Sequence, residues 1–282
     1  MRLGEVTTQF TEQLRTRGFE QPLAEAHLLI CGVLGWTRTQ VISDDQKQLA
    51  TAQLEQLRSA IERRLQGEPL AYILGRKDFY KSIFHVGPGA LIPRPETEML
   101  VEFALKHFPN QQHELWLADF GAGSGCVGIS ILLERPQARL VAVESSMKAQ
   151  EYLRKNLQHY GLEERCEILH LEVEKFKCTK KFDLVVANPP YIAADDKNVA
   201  SDVQSFEPPT ALYADQNGLG AIRRWAEVAG QVLRPQGLLL MEIGASQKAA
   251  VLAEPWSKWG FSAPEIKKDL AGLSRMIVAM LR

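Results

Sequence analysis

Apolar residues recur at helical spacing over roughly the first seventy positions, then the period changes. Val6, Phe10 and Leu14 fall four apart, and Gly18 supplies a stop. Pro22 can open a second helix in its first turn, with Leu23, Ala26, Ile30 and Val33 along one face and Gly35 after it. Asp44 or Asp45 can cap a third, longer helix, whose stripe Ala50, Leu54, Leu57, Ile61, Leu65 ends at Gly67. From Gly75 to Ile92 aromatic and β-branched residues (Phe79-Tyr80, Ile83-Phe84-His85-Val86) sit between turn formers, which predicts a short hairpin. Beyond Pro95 strand-like runs alternate with helical segments. The runs are Glu114–Phe120, Arg139–Glu144, Cys166–Leu171, Phe182–Ala187, Gly237–Ile243 and Arg275–Leu281. Such alternation predicts a mostly parallel sheet covered by helices on both faces. The expected division is a helical domain over 1–74, a hairpin linker over 75–92 and an α/β domain over 93–282.

Bulk composition narrows the partners. Among 282 residues, 45% are hydrophobic and 24% charged, ordinary values for a globular chain. A net charge of −1 provides no global positive field towards nucleic acid. Cys31, Cys126, Cys166 and Cys178 are scattered without a C-x-x-C pair, which argues against a metal site and fits a reducing compartment. The N-terminus lacks the apolar run of a signal peptide, and no run reaches the roughly 18–20 residues that cross a bilayer. A cytoplasmic location is expected.

Three contiguous signals carry chemistry. In Leu117-Ala118-Asp119-Phe120-Gly121-Ala122-Gly123-Ser124-Gly125 an apolar strand runs into glycines at alternate positions, ahead of a helix bearing Val127, Ile131 and Leu132. Such glycines let backbone N–H groups approach a ligand near a helix N-terminus. The plain alternative is a tight turn with no ligand. The second signal, Leu140-Val141-Ala142-Val143-Glu144, is a buried strand ending in a carboxylate about twenty residues on. In a βαβ unit Glu144 can accept from both hydroxyls of a ribose, so the two signals together indicate a nucleoside-containing cofactor.

The third signal is the apolar strand Phe182–Ala187 running directly into Asn188-Pro189-Pro190-Tyr191-Ile192. Two consecutive prolines fix the backbone and remove its donors. Asn188 offers a side-chain carbonyl, Pro189 a main-chain one and Tyr191 a flat face, an acceptor pair suited to an NH2 group on a planar conjugated system. A merely rigid turn is the alternative.

With the glycine loop, Glu144 and the Asn188–Tyr191 turn, the chain resembles class I S-adenosylmethionine-dependent methyltransferases acting on amide or amino nitrogens. More narrowly, it resembles the peptide chain release factor glutamine N5-methyltransferases, the PrmC/HemK family. Gly67-Glu68-Pro69-Leu70-Ala71-Tyr72-Ile73-Leu74-Gly75, Leu91-Ile92-Pro93-Arg94-Pro95-Glu96-Thr97-Glu98 and Phe206-Glu207-Pro208 carry the narrower likeness, which covers nearly the whole chain. The resemblance implies a Rossmann-like α/β domain with a seven-stranded, mostly parallel sheet, preceded by a small all-helical domain for substrate recognition. It implies S-adenosyl-L-methionine as cofactor, held by Gly121, Ala122, Gly123, Ser124, Gly125, Glu144, Lys175 and Asn188. The substrate implied is the glutamine in the GGQ motif of release factors, met by Asn188, Pro189, Pro190 and Tyr191. Asn188, Pro189 and Tyr191 then serve catalysis, Glu96 and Thr97 support, and neither metal nor direct nucleic-acid binding is expected. Two positions depart from the family pattern: Glu144 stands where aspartate is more usual, and Glu174-Lys175 where an acid precedes an apolar residue beside the adenine.

Asn-Pro-Pro-Tyr also suits the amino group of adenine, so an N6-adenine methyltransferase of nucleic acid is the first alternative. Such enzymes need a basic surface or a target-recognition domain, and no such insertion follows Tyr191. A glutamine methyltransferase of a ribosomal protein is the second, though Pro93-Arg94-Pro95-Glu96 replaces the Pro-Arg-Ser-Pro usual there. A third, non-catalytic alternative is a cofactor-binding scaffold, which the intact Asn188–Tyr191 turn opposes.

Overall fold

The computed structural model describes residues 1–196 and 200–282. They form two compact units, Met1–Arg76 with Ser201–Phe206, and Lys77–Ala200 with Glu207–Arg282. Each has its own core, in which every buried Leu, Ile or Phe contributes about 1.5–3 kcal/mol.

The first unit contains helices α1 (Leu3–Thr16), α2 (Pro22–Leu34), α3 (Arg38–Ser43), α4 (Thr51–Leu65) and α5 (Leu70–Leu74). Val6, Phe10 and Leu14 are buried as their spacing predicts. Pro22 opens α2, and Gly35 closes it in the left-handed region at φ 69°. Two expectations for this region are corrected. Leu23 is 52% exposed, and Leu29 faces the core with Ala26 and Ile30. Asp44 does not cap the long helix but ends α3, whose start is fixed by reciprocal bonds between Thr37 and Gln40. That box, Thr37 with Gln40 three residues on, was the available sign of a separate helix.

The second unit opens within the hairpin of β1 (Arg76–Phe79), whose first residue groups with the first unit, and β2 (Ser82–His85), then α6 (Glu98–His107), β3 (Trp116–Phe120), α7 (Cys126–Glu134) and β4 (Arg139–Val143). There follow α8 (Met147–Tyr160), β5 (Cys166–Leu169), β6 (Phe182–Ala187) and the two-residue β7 (Ile192–Ala193). After α9 (Ser201–Phe206), which groups with the first unit, come α10 (Pro209–Leu212), β8 (Tyr213–Ala214), α11 (Asp215–Gly218) and α12 (Gly220–Val232). The chain ends with β9 (Leu233–Glu242), α13 (Lys248–Leu252), β10 (Glu265–Lys268) and β11 (Ser274–Met280).

Seven strands pair in the order β10-β11-β9-β6-β3-β4-β5. From β9 to β5 neighbours run parallel, and β11 runs antiparallel between β9 and β10. The predicted strand over Phe182–Ala187 is present at those bounds and buried throughout. The seventh strand, β10, escaped the sequence pattern because it is a four-residue edge, Glu-Ile-Lys-Lys, whose charges suit an unpaired side. Alternate residues of β3 point to opposite cores: Leu117 joins Ile129 and Leu153, while Phe120 joins Ile222 and Trp225. Phe79 and Phe84 of the hairpin meet edge-on at 6.1 Å within the first of these cores. The Ile83 N–H also donates to the Tyr160 hydroxyl of α8 at 3.0 Å. Because β9, β6, β3 and β4 are parallel, the residues at their C-terminal ends (Glu242, Asn188, Gly121, Glu144) gather along one edge, where such sheets bind ligands. Among the described residues no helix is long and apolar enough to cross a membrane.

Candidate active site

All three glycines of the loop after β3 have positive φ: 68° at Gly121, 58° at Gly123 and 83° at Gly125. A Cβ on Gly121 would lie 2.6 Å from the Trp225 ring, and one on Gly125 would lie 2.4 Å from Leu153. Gly123 differs: a Cβ there would meet nothing nearer than the Gly121 carbonyl at 3.9 Å, so its missing side chain leaves space open to the cavity. That cavity has a volume of roughly 550 Å³, within the range of small-molecule sites. Gly121, Ala122, Gly123, Ser124, Glu144, Asn188 and Pro190 line it, while Gly125, Lys175, Pro189 and Tyr191 lie outside the lining.

Glu144 follows β4 and is 8% exposed. Its carboxylate accepts the Gly123 N–H at 2.8 Å and the Ser146 N–H at 2.7 Å. It thereby ties the glycine loop to the strand end, and each oxygen retains a lone pair for a further donor. Asp119 also lines the cavity, although its place ahead of the glycines in the sequence suggested only a strand residue. Burial pushes its carboxyl up to about 7, against the Gly128 N–H bond and with help from the Glu144 charge. Lys175 lies outside the cavity lining. The 3-10 turn Val173–Lys175 directs Val173 and Glu174 to the cavity, and Lys175 pairs with Glu172 at 2.9 Å with 70% of its side chain exposed.

The Asn188–Tyr191 turn is held by a chain of bonds that no sequence window contained. Asn188 donates through Nδ2 to Thr97 Oγ1 at 3.3 Å. The Thr97 hydroxyl donates to Glu242 Oε2 at 2.6 Å, and the Tyr191 hydroxyl donates to Glu242 Oε1 at 3.0 Å. Thr97 and Glu242 are each 2% exposed. Burial raises the Glu242 pKa, while both hydroxyl bonds and the charge of Arg275 oppose the rise. Burial, reinforced by the Glu242 charge, likewise pushes the Tyr191 phenol up, so Tyr191 stays protonated and donating. Gln247 donates to the Tyr191 carbonyl at 3.0 Å. Among the described residues nothing donates to Asn188 Oδ1 or to the Pro189 carbonyl.

Two further motifs meet at the same cavity. Glu207 accepts the Ile92 N–H at 3.0 Å and pairs with the Arg94 guanidinium, with its own side chain 1% exposed. The bonds fix Leu91, Pro93 and Pro208, all cavity-lining. Glu96 lies outside the lining and bears on the site through its charge, which opposes ionisation of Glu242.

A sheet of seven strands with its last strand reversed between two others, loaded along its C-terminal edge in this way, is the class I S-adenosylmethionine-dependent methyltransferase fold, and the chain is an enzyme of that class. The domain family described as PrmC N-terminal domain matches residues 5–75, and the one described as Methyltransferase small domain matches residues 97–207. A release factor glutamine methyltransferase of Neisseria gonorrhoeae is 40% identical over 90% of this chain and 92% of its own. That of Caulobacter vibrioides is 34% identical over 97% of this chain and 94% of its own. The chain belongs to the release factor glutamine methyltransferase family. A solved 16S rRNA N2 G1207 methyltransferase from T. thermophilus, in complex with AdoMet and guanosine, shares the fold alone. Its TM-score is 0.53 at 20% identity, over 73% of this chain and 50% of its own.

Proposed function

We propose that the enzyme transfers a methyl group from S-adenosyl-L-methionine to the side-chain amide nitrogen of the GGQ glutamine in peptide chain release factors, in the cytoplasm. The observation that carries this reading is the commitment of the Asn188 amide N–H to Thr97, which leaves Oδ1 to accept from an incoming NH2. The space a side chain at Gly123 would fill, and the spare lone pairs of Glu144, fit the methionine and ribose portions of the cofactor. When bound, the cofactor supplies an electrophilic methyl on a sulfonium. An amide nitrogen is a poor nucleophile because its lone pair is delocalised, so the residues act mainly by positioning. Asn188 Oδ1 and the Pro189 carbonyl orient the NH2 and stabilise the positive charge growing on nitrogen. Tyr191, held by Glu242, keeps the turn rigid. The amide proton can leave after transfer, so no strong general base is needed.

A net charge of −1 supports a protein substrate over a nucleic acid. With release factor, adenine-containing oligonucleotides and the ribosomal protein offered together with labelled cofactor, label is expected on the release-factor glutamine only. Mass spectrometry that places it on N6 of adenine overturns the reading. The helices of residues 1–74 carry no catalytic motif, and recognition of a folded protein takes about 1,000 Å² of surface or more. They are assigned to substrate recognition, with 75–92 as linker and 93–282 as catalytic domain. A fragment starting near Gly75 is expected to bind cofactor and to turn over release factor with a raised KM. Wild-type kcat/KM from that fragment removes the helices from recognition.

A further inference from the structure

We propose that Glu242, buried behind the cavity and outside its lining, is the positioning residue that decides which end of the Asn188 amide faces the substrate. The inference rests on the role given to Asn188 above. The two ends of a carboxamide are nearly equal in size, so packing alone does not choose between them. A directed chain of hydrogen bonds does. Both Glu242 oxygens already accept, Oε1 from the Tyr191 hydroxyl and Oε2 from the Thr97 hydroxyl, so neither returns a proton. The single proton of the Thr97 hydroxyl is therefore committed to Glu242 Oε2 at 2.6 Å, and Oγ1 can offer only lone pairs to Asn188. That selects the Nδ2 end for Thr97 and the carbonyl end for the reacting NH2. Turning the amide over would set Oδ1 against the Thr97 lone pairs and present a donor to a donor. The second oxygen accepts from the Tyr191 hydroxyl, so one buried carboxyl group sets both halves of the turn. Burial favours the neutral form of Glu242, the two hydroxyl bonds and Arg275 favour the ionised one, and Glu96 opposes it.

Glu242→Gln keeps the volume but offers one acceptor atom where two hydroxyl protons point. Thr97→Val removes the relay and keeps the shape. Each is expected to lower single-turnover kcat at least tenfold, with substrate KM and the Kd of S-adenosylhomocysteine within about threefold of wild type; Thr97→Ser should recover most of the loss. In an Asn188→Ala background Thr97→Val should not slow transfer further, because it acts through that amide alone. Should Glu242→Gln fail to fold, Thr97→Val decides alone. Wild-type kcat in either folded variant, a loss confined to KM or cofactor affinity, or a full further loss from Thr97→Val on top of Asn188→Ala overturns the inference. Asn188→Ala at the wild-type rate instead overturns the reading of Asn188, so the two failures are distinguishable.

Discussion

Alanine at position 188 is expected to slow methyl transfer to release factor by about a hundredfold or more, the scale on which removal of one preorganised transition-state partner acts. The size of the effect matters. An ordinary hydrogen bond in the ground state is worth about 0.5–1.5 kcal/mol, roughly a two- to tenfold change, and would fall on KM. A hundredfold loss in kcat requires an interaction that strengthens as charge grows on the attacking nitrogen. Asn188 is placed for this because Thr97 holds its donor end at 3.3 Å and leaves its carbonyl end unmatched among the described residues. Truncation removes no large apolar volume from the core, so the fold is expected to survive and the affinity for S-adenosylhomocysteine to change little. Single-turnover rates with release factor and labelled cofactor, set beside calorimetric affinity, give both quantities. A rate near wild type in a folded variant would end the assignment.

What could be read in advance followed from contiguity. The glycine loop, the strand running into Glu144 and the Asn188–Tyr191 turn each lie within one short window, and the structure brings them to one edge of the sheet. The residues that hold them do not share a window. Glu242 lies 145 positions from Thr97, and Thr97 lies 91 from Asn188. The only local sign of Glu242 was a lone acid ending the apolar run Leu238-Leu239-Leu240-Met241, and a buried carboxylate demands donors. Arg94 and Glu207 were visible as family marks, yet their pairing across 113 positions was not. Lys175 shows the opposite limit, since its neighbours line the cavity while a single 3-10 turn points its side chain to solvent. In the helical unit Leu23 and Leu29 both fit an apolar stripe by type, and only the packing of α2 selects Leu29.

Arginine at position 123 is expected to abolish cofactor binding while leaving the fold in place. The backbone there has φ 58°, and a side chain in the left-handed region costs about 1–2 kcal/mol, well below the 5–15 kcal/mol that typically holds a domain together. Steric conflict with the protein adds little, because the heavy atom nearest to a Cβ at this position would be 3.9 Å away. The neighbouring glycines are different: at Gly121 a Cβ would strike Trp225, and at Gly125 it would strike Leu153, so substitutions there are expected to disturb packing first. From Gly123, which lines the roughly 550 Å³ cavity, a long side chain would extend into it. Its guanidinium would reach a space bordered by Glu144 and Asp119, pair with carboxylates otherwise open to ligand and add a positive charge where a sulfonium must sit. Calorimetry with S-adenosylhomocysteine should therefore show a Kd raised by about a hundredfold or more, with the melting temperature lowered by only a few degrees. Gly123→Ala separates the causes, because it carries the backbone strain without filling the cavity and should lose much less affinity. If folded Gly123→Arg binds as wild type does, the ligand does not occupy the space this glycine leaves open, and the glycine loop drops out of the cofactor site.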